Sequence, residues 1–323
     1  MSTIGANRAD LVTTQWLQDH LGAPGLKVLD CTTFMTPQPV GPSRIESGRA
    51  RWAQARIPGA QHVCMVEDLS DPAGRFPYTL PQAADLRRRL GERGIHSGQH
   101  LVLYGSSHPM VVTRAWWVFT ALGWPRVSVL DGGWATWLAE GRPVDQGPPQ
   151  DGPAELDQDR PGHSPSALRP IDAGPGGASG HGSVGHEPQP ACPDRLADAQ
   201  AVAQAVDTGS AWLVNALSVE QFLGTGGAHY GRPGRIPGSI SLPARDLVEV
   251  DPACWLDPES VRERARQAGL VNDGRPVIVY CGGGIAATAT AFALERAGWA
   301  DVRVYDNSLL EWSADPARPM TTG

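Results

Sequence analysis

Short apolar runs rich in β-branched residues alternate along this chain with longer stretches of helical periodicity, and Gly or Pro punctuates the junctions. In the first half the pattern predicts strands near Lys27–Asp30, Leu101–Tyr104 and Ser128–Leu130, and a helix near Val112–Leu122. In the second half it predicts strands near Trp212–Asn215, Val277–Tyr280 and Val302–Tyr305, with helices near Pro258–Ala268 and Ala286–Ala297. Apolar strands interleaved with helices are what a parallel sheet needs, because each strand must return to the same end through a crossover that covers a face. The expected fold class is α/β.

The two halves echo each other. LVLYG at 101–105 returns as VIVYC at 277–281, ALGW at 121–124 as RAGW at 296–299, and VSVLDGGW at 127–134 as VRVYDNSL at 302–309. Upstream, ARIPGAQHV at 55–63 is answered by GRIPGSISL at 234–242, and LKVLD at 26–30 by AWLVN at 211–215. Matched segments in one order imply a duplicated unit. Between the copies, Gln146–Pro193 holds 9 glycines and 10 prolines among 48 residues, well above the roughly 25–30% that marks low-complexity sequence. The expected organisation is a first unit over 1–145, a disordered linker over 146–193 and a second unit over 194–323. The linker histidines His163, His181 and His186 are irregularly spaced and lack regular acidic or cysteine partners, so no metal site is expected there.

Composition narrows the classes. Hydrophobic residues make up 41% of 323, enough for two cores. Against 34 acidic residues stand 27 Lys and Arg, a formal charge of -7, which argues against a nucleic-acid or acidic-membrane partner. No run approaches the ~20 apolar residues that span a bilayer, and the first residues lack a basic stretch followed by an apolar one. A cytoplasmic chain is expected. The cysteines, Cys31, Cys64, Cys192, Cys254 and Cys281, are odd in number and contain no Cys-x-x-Cys pair, so neither a disulfide framework nor a zinc site is expected.

One of them stands apart. Cys281 directly follows an apolar strand and precedes Gly282-Gly283-Gly284-Ile285-Ala286-Ala287-Thr288, which opens a helix. Amides at a helix N-terminus are unpaired and carry partial positive charge, so they favour a thiolate and hold anions. Three successive glycines let the chain curl without Cβ atoms, so that amides turn toward one sulfur. Strand ends of parallel sheets are also where ligands bind.

With these residues assembled, the chain resembles the tandem rhodanese-domain sulfurtransferases. The likeness rests on the repeat plan, RIPGS before the site, VIVYCGGGIAAT at it, and VYDNSLLEW with a following Pro. It implies two rhodanese-like domains, each a parallel sheet flanked by helices, joined by the Gly/Pro-rich linker. In that family the C-terminal copy holds the cysteine at the head of a six-residue loop, here Cys281 to Ala286, and the N-terminal copy has lost it; Gly105 stands at that position. The implied activity moves a sulfane sulfur from 3-mercaptopyruvate or thiosulfate to a thiol, cyanide or protein-thiol acceptor, through a persulfide on Cys281. Gly282, Gly283, Gly284, Ile285, Ala286 and Ala287 would bind the substrate, and no cofactor or metal is implied.

Several positions depart from the family pattern. Users of thiosulfate commonly carry basic residues after the cysteine, whereas users of 3-mercaptopyruvate commonly read Cys-Gly-Ser-Gly-Val-Thr-Ala. The loop here is uncharged, hence closer to the second, yet Gly283 and Ala286 replace the two hydroxyls. The family's Asp-x-Arg after the first strand of the catalytic copy is Asn215-Ala216-Leu217, so that arginine is absent. Its His-Ile-Pro-Gly is Arg56-Ile57-Pro58-Gly59 and Arg235-Ile236-Pro237-Gly238. Replacement cations lie in AHYGRPGRIPG, where Arg232 is the expected anion contact and Arg235 is expected to be structural, since Arg56 holds the same place in the copy without a nucleophile. Asp30, His108, Arg114, Trp116 and Trp117 read mainly as architecture.

Two rivals are weighed. A loop-cysteine phosphatase or arsenate reductase needs Cys-x5-Arg to clamp an oxyanion, and position 287 is Ala. A binding or regulatory member that keeps the fold is the alternative, suggested by Leu217, Gly283 and Ala286.

Overall fold

The computed structural model describes residues 10–39, 41, 43–147, 193–249 and 253–323. In the first copy the elements run β1 (Asp10–Val12), α1 (Thr14–His20), β2 (Leu26–Asp30), β3 (Thr33–Thr36), β4 (Arg44–Ser47), α2 (Arg49–Gln54) and β5 (Ala55–Arg56). There follow β6 (Gln61–His62), α3 (Ala83–Gly91), β7 (His100–Tyr104), α4 (Pro109–Ala121), β8 (Val127–Leu130), α5 (Gly133–Ala139) and β9 (Asp145–Gln146). The second copy runs β10 (Leu196–Ala197), α6 (Ala199–Thr208), β11 (Trp212–Asn215), α7 (Val219–Leu223), β12 (Ile240–Ser241), α8 (Pro258–Gln267), β13 (Val277–Tyr280), α9 (Ile285–Arg296), β14 (Val302–Tyr305) and α10 (Ser308–Trp312).

The strands form two five-stranded sheets with orders β1-β8-β7-β2-β6 and β10-β14-β13-β11-β12. Every pairing within them is parallel. The orders superimpose copy on copy, as duplication requires. The strands expected from the pattern are all present, three of them with the expected ends: β11, β13 and β14.

Interior side chains explain the helices. On one face of the first sheet, Val12, Leu17, Val28, Ile57, Val102, Tyr104, Leu130, Trp134 and Trp137 form a core of their own. On the other face the core is continuous with that of the second copy, because α4 packs on α9. Both helices are buried nearly all round: every residue from Val111 to Ala121, and Ala287 through Leu294. Such all-round burial is what a helix held between its own sheet and a second domain must show. The pair is complementary in size. Helix α9 is rich in alanine, whereas α4 presents Trp116, whose ring meets Phe292 edge-on at 4.9 Å. The tryptophans thus fill an interdomain core.

A second link is reciprocal. The Leu80 amide donates to Asp306 Oδ2 at 2.9 Å, and the Trp255 amide donates to Asp131 Oδ1 at 3.0 Å. Each copy sends the segment before its third helix to the aspartate that follows the matching strand of the other, β14 or β8.

Gln146 and Gly147, placed at the head of the expected linker, belong to the first copy: Gln146 pairs with Ala55, and the Gly147 carbonyl accepts from Arg56 at 2.8 Å. Residues 148–192 of that linker assignment, with its histidines and Cys192, lie outside the described residues, whereas Pro193 opens a 3-10 turn over Pro193–Arg195. Among the described residues no helix is long and apolar enough to cross a membrane, and no group of His, Cys, Asp or Glu could hold a metal ion.

Candidate active site

Cys281 follows β13, a central strand, and is buried, with only 2% of its surface exposed. Its Sγ accepts the Gly284 amide at 3.2 Å. Three carbonyls of the loop have other partners. The Cys281 carbonyl accepts from the Leu309 amide at 3.2 Å and the Gly282 carbonyl from the Leu310 amide at 2.9 Å, both in the first turn of α10. The Gly284 carbonyl accepts from the Arg114 guanidinium at 3.2 Å. With these carbonyls engaged elsewhere, the Gly284 amide at the start of α9 presents positive partial charge to the thiol, and no acidic residue occupies the first turn of α9.

Each of the three glycines has a steric reason. A Cβ on Gly282 would lie 2.0 Å from Cζ of Tyr230. One on Gly283 would meet Leu310 Cδ1 at 2.9 Å and Tyr78 at 3.9 Å. Gly284 has φ +82°, and its Cβ would meet the Asp306 carbonyl oxygen at 2.3 Å; both facts demand glycine. Gly283, where the resemblance leads one to expect serine, is accounted for by the Leu310 side chain that fills the space. The side chains of Ile285 and Ala287 are buried and that of Ala286 is half-buried.

Ser308 completes the loop. Its hydroxyl accepts the Cys281 amide at 3.0 Å, donates to the Tyr305 carbonyl at 2.7 Å and lies 4.0 Å from Cys281 Sγ. Its backbone sits at φ 51°, in the left-handed region, where the matched position of the first copy is Gly133 at φ 52°. A non-glycine residue there costs roughly 1–3 kcal/mol. Sequence reasoning missed Ser308, although matching VSVLDGGW to VRVYDNSL sets a serine against a glycine at that very position.

Two tyrosines flank the loop, Tyr230 over Gly282 and Tyr78 beside Gly283. Burial, followed by the neighbouring Cys281 and Tyr78, pushes the Tyr230 hydroxyl up to about 12, and burial also raises that of Tyr78. Both phenols stay protonated at neutral pH. Tyr78 also donates to the Ser43 carbonyl at 3.2 Å, and the Gly41 amide donates to the His229 carbonyl at 2.6 Å. Gly41, between β3 and β4, thus contacts the segment that carries Tyr230.

Other residues singled out in the sequence have structural partners. Arg232, expected as an anion contact, is directed to the end of α10: Nε donates to the Ser313 carbonyl at 3.0 Å, and a terminal nitrogen donates to the carbonyls of Asp315 at 2.7 Å and Trp312 at 3.4 Å. A substrate anion would compete with these carbonyls. Arg235 lies over the Phe222 ring and Arg56 over that of Trp52, each within its own copy, the architectural role expected of this repeat position. Asp30 ends β2 inside the first copy. It is buried, and its Oδ1 accepts the Thr32 amide at 2.8 Å, just as Asn215 accepts the Leu217 amide at 2.8 Å.

The geometry agrees with comparisons to known proteins. The model of the rhodanese-like domain matches residues 13–140 and again 198–315. A Pseudomonas aeruginosa protein named "Probable 3-mercaptopyruvate sulfurtransferase" is 32% identical over 324 residues, covering 98% of this chain and 99% of that one. The thiosulfate sulfurtransferase of Bos taurus is 28% identical over 311 residues, 94% of this chain and 91% of the other. Among solved structures, that of the 3-mercaptopyruvate sulfotransferase SseA from Escherichia coli superimposes with a TM-score of 0.70 at 22% identity, covering 92% of this chain and 98% of that one. A duplicated α/β unit with one buried, amide-facing cysteine defines the class. The chain belongs to the rhodanese-like domain family, as a member with two copies of the domain.

Proposed function

We propose that this chain is a sulfurtransferase that carries sulfur as a persulfide on Cys281. The observation that carries the reading is the sulfur-facing Gly284 amide, 3.2 Å from Sγ, in a loop where the Cys281, Gly282 and Gly284 carbonyls are held by Leu309, Leu310 and Arg114. The Cys281 thiolate attacks the sulfur to be transferred, the outer sulfur of thiosulfate or the mercapto sulfur of 3-mercaptopyruvate. The bond from that sulfur to the rest of the donor breaks, and its electron pair leaves with the departing group: sulfite from thiosulfate, or the enolate of pyruvate from 3-mercaptopyruvate, which takes up the proton the mercapto group loses. An acceptor thiolate or cyanide then attacks the outer persulfide sulfur and the Cys281 thiolate is restored. The Gly284 amide at the start of α9 meets negative charge on sulfur at each stage without reorganising.

The relatives' names support small-molecule sulfur donors as a class. Within it, the uncharged loop and the neutral phenols of Tyr78 and Tyr230 favour 3-mercaptopyruvate. Intact-mass analysis after incubation with donor tests the function: a gain of about 32 Da, one sulfur atom, on Cys281 is expected and should be reversed by an acceptor thiol. No gain with any donor would leave a binding protein on the same fold.

A further inference from the structure

Arg114 belongs to the copy that has no nucleophile, yet its side chain ends at the catalytic loop. It extends from α4, is fully buried, and pairs with Asp306 Oδ1 at 2.6 Å. The same terminal nitrogen donates to the Gly284 carbonyl at 3.2 Å, and the other donates to the Tyr78 carbonyl. The Trp117 ring backs the guanidinium at 4.7 Å. Asp306 is itself fixed by the Leu80 amide at 2.9 Å. Every group that aims this arginine, apart from its target and Asp306, thus comes from the first copy.

Gly284 is the residue whose amide reaches Cys281 Sγ. Its carbonyl and amide flank one Cα, so fixing the carbonyl also limits rotation of the residue that presents the amide. Gly284 has no side chain to lock and no side-chain cap holds the start of α9, so the Arg114 contact adds to the close packing of Gly284 against Asp306. We propose that Arg114 is a positioning residue for sulfur transfer, holding Gly284 so that its amide stays aimed at Cys281, on the reading that Cys281 is the sulfur carrier. The first copy is then a working part of the active site. A planar, forked guanidinium suits the task, since it meets a carboxylate and two carbonyls at once, which an ammonium point charge does not do in the same geometry.

The test compares Arg114→Ala and Arg114→Lys with the wild type in sulfur transfer, in the rate of Cys281 alkylation by iodoacetamide, and in thermal unfolding. For Arg114→Ala we expect kcat to fall about tenfold or more with KM within about twofold, and alkylation per folded molecule to slow. Arg114→Lys keeps a cation beside Asp306, so it should unfold close to the wild type, and it should recover part of kcat without reaching the wild-type value. It therefore decides the matter should the alanine variant fail to fold. Wild-type kcat and alkylation rate in a folded variant would overturn the proposal. So would an activity loss that merely follows the folded fraction. The alkylation rate reads the thiol without any sulfur donor, so absence of persulfide in the wild type would count against the sulfur-carrier reading while leaving the effect of Arg114 on the thiol measurable.

Discussion

Ser308 accepts the Cys281 amide on its hydroxyl at 3.0 Å from a backbone conformation that its counterpart, Gly133, meets as a glycine. The chain accepts local strain to satisfy a buried amide beside the sulfur, and strain kept at such a place points to function. Ser308→Ala should leave that amide unpaired while keeping the strain, at a cost of about 1–3 kcal/mol in stability together with slower sulfur transfer. Ser308→Gly should be the more stable of the two by thermal unfolding and be as slow. A Ser308→Ala protein as active and stable as the wild type would count against the role.

Cys281→Ser should abolish sulfur transfer with the unfolding midpoint preserved, whereas Cys31→Ser, Cys64→Ser and Cys254→Ser should retain most activity. Burial, assisted by Asp30 and Asp68, raises the Cys31 thiol well above its ordinary value, so it should resist alkylation in the folded protein. Peptide mapping after brief treatment with iodoacetamide checks the order, which fails if Cys31 is labelled before Cys281.

Tyr230 and Gly282 should be coupled. Gly282→Ala forces a methyl group against the ring, and we expect sulfur transfer to drop about tenfold or more. Adding Tyr230→Ala opens that space, so the double variant should be more active than Gly282→Ala alone. Expressed as an interaction energy, the effect should fall in the range of about 0.5–3 kcal/mol seen for touching residues. Simple additivity of the two losses would mean that the ring does not set the loop.

Donor choice follows from charge. Thiosulfate places two negative charges close to the nucleophile, where the loop supplies amide dipoles and neutral phenols; the carboxylate of 3-mercaptopyruvate lies further from the transferred sulfur. We expect higher kcat/KM with 3-mercaptopyruvate than with thiosulfate, and the reverse ranking would refute the charge argument. As a separate proposal, Arg232→Ala should raise KM for either anion if a substrate competes for the guanidinium; an unchanged KM would leave Arg232 as a cap of α10 alone.

Stability should fall in mild acid. Burial holds the His62 imidazole below its ordinary value despite the opposing charge of Asp30, and burial does the same to His100 and His108. Each takes up a proton more readily unfolded than folded. Their contribution is present above the ordinary histidine value of about 6.5 and is lost as pH falls from there through the depressed folded values. Asp30 runs the other way, its carboxyl raised by burial, so its contribution is present in acid and lost as pH rises through that raised value. Three histidines against one carboxyl predict a lower unfolding midpoint at about pH 5.5 than at about pH 7, with a smaller drop in His62→Gln. An equal drop in that variant would assign the effect elsewhere.

The sequence by itself determined the duplicated α/β plan, the principal strands and the place of Cys281, because these depend on hydrophobic period, internal repetition and the local chemistry of a Gly-rich turn. The ends of β13 and β14 were legible because Val277–Tyr280 runs between Pro276 and the Cys281-Gly282 turn, and Val302–Tyr305 between Asp301 and Asp306. Tertiary structure alone decided which distant side chains close the site. Arg114 reads as architecture in sequence, and Tyr78, Leu310 and Ser308 draw no notice there. They meet the loop only because α4 packs on α9 and the segments around Tyr78 and Leu310 converge on its glycines. Arg232 shows the converse, since proximity in sequence suggested a substrate cation while the carbonyls at the end of α10 claim its guanidinium. Periodicity is set within a few residues of the chain, whereas the partner of a long polar side chain is set by which surfaces are buried together, and that is settled only when both domains have docked.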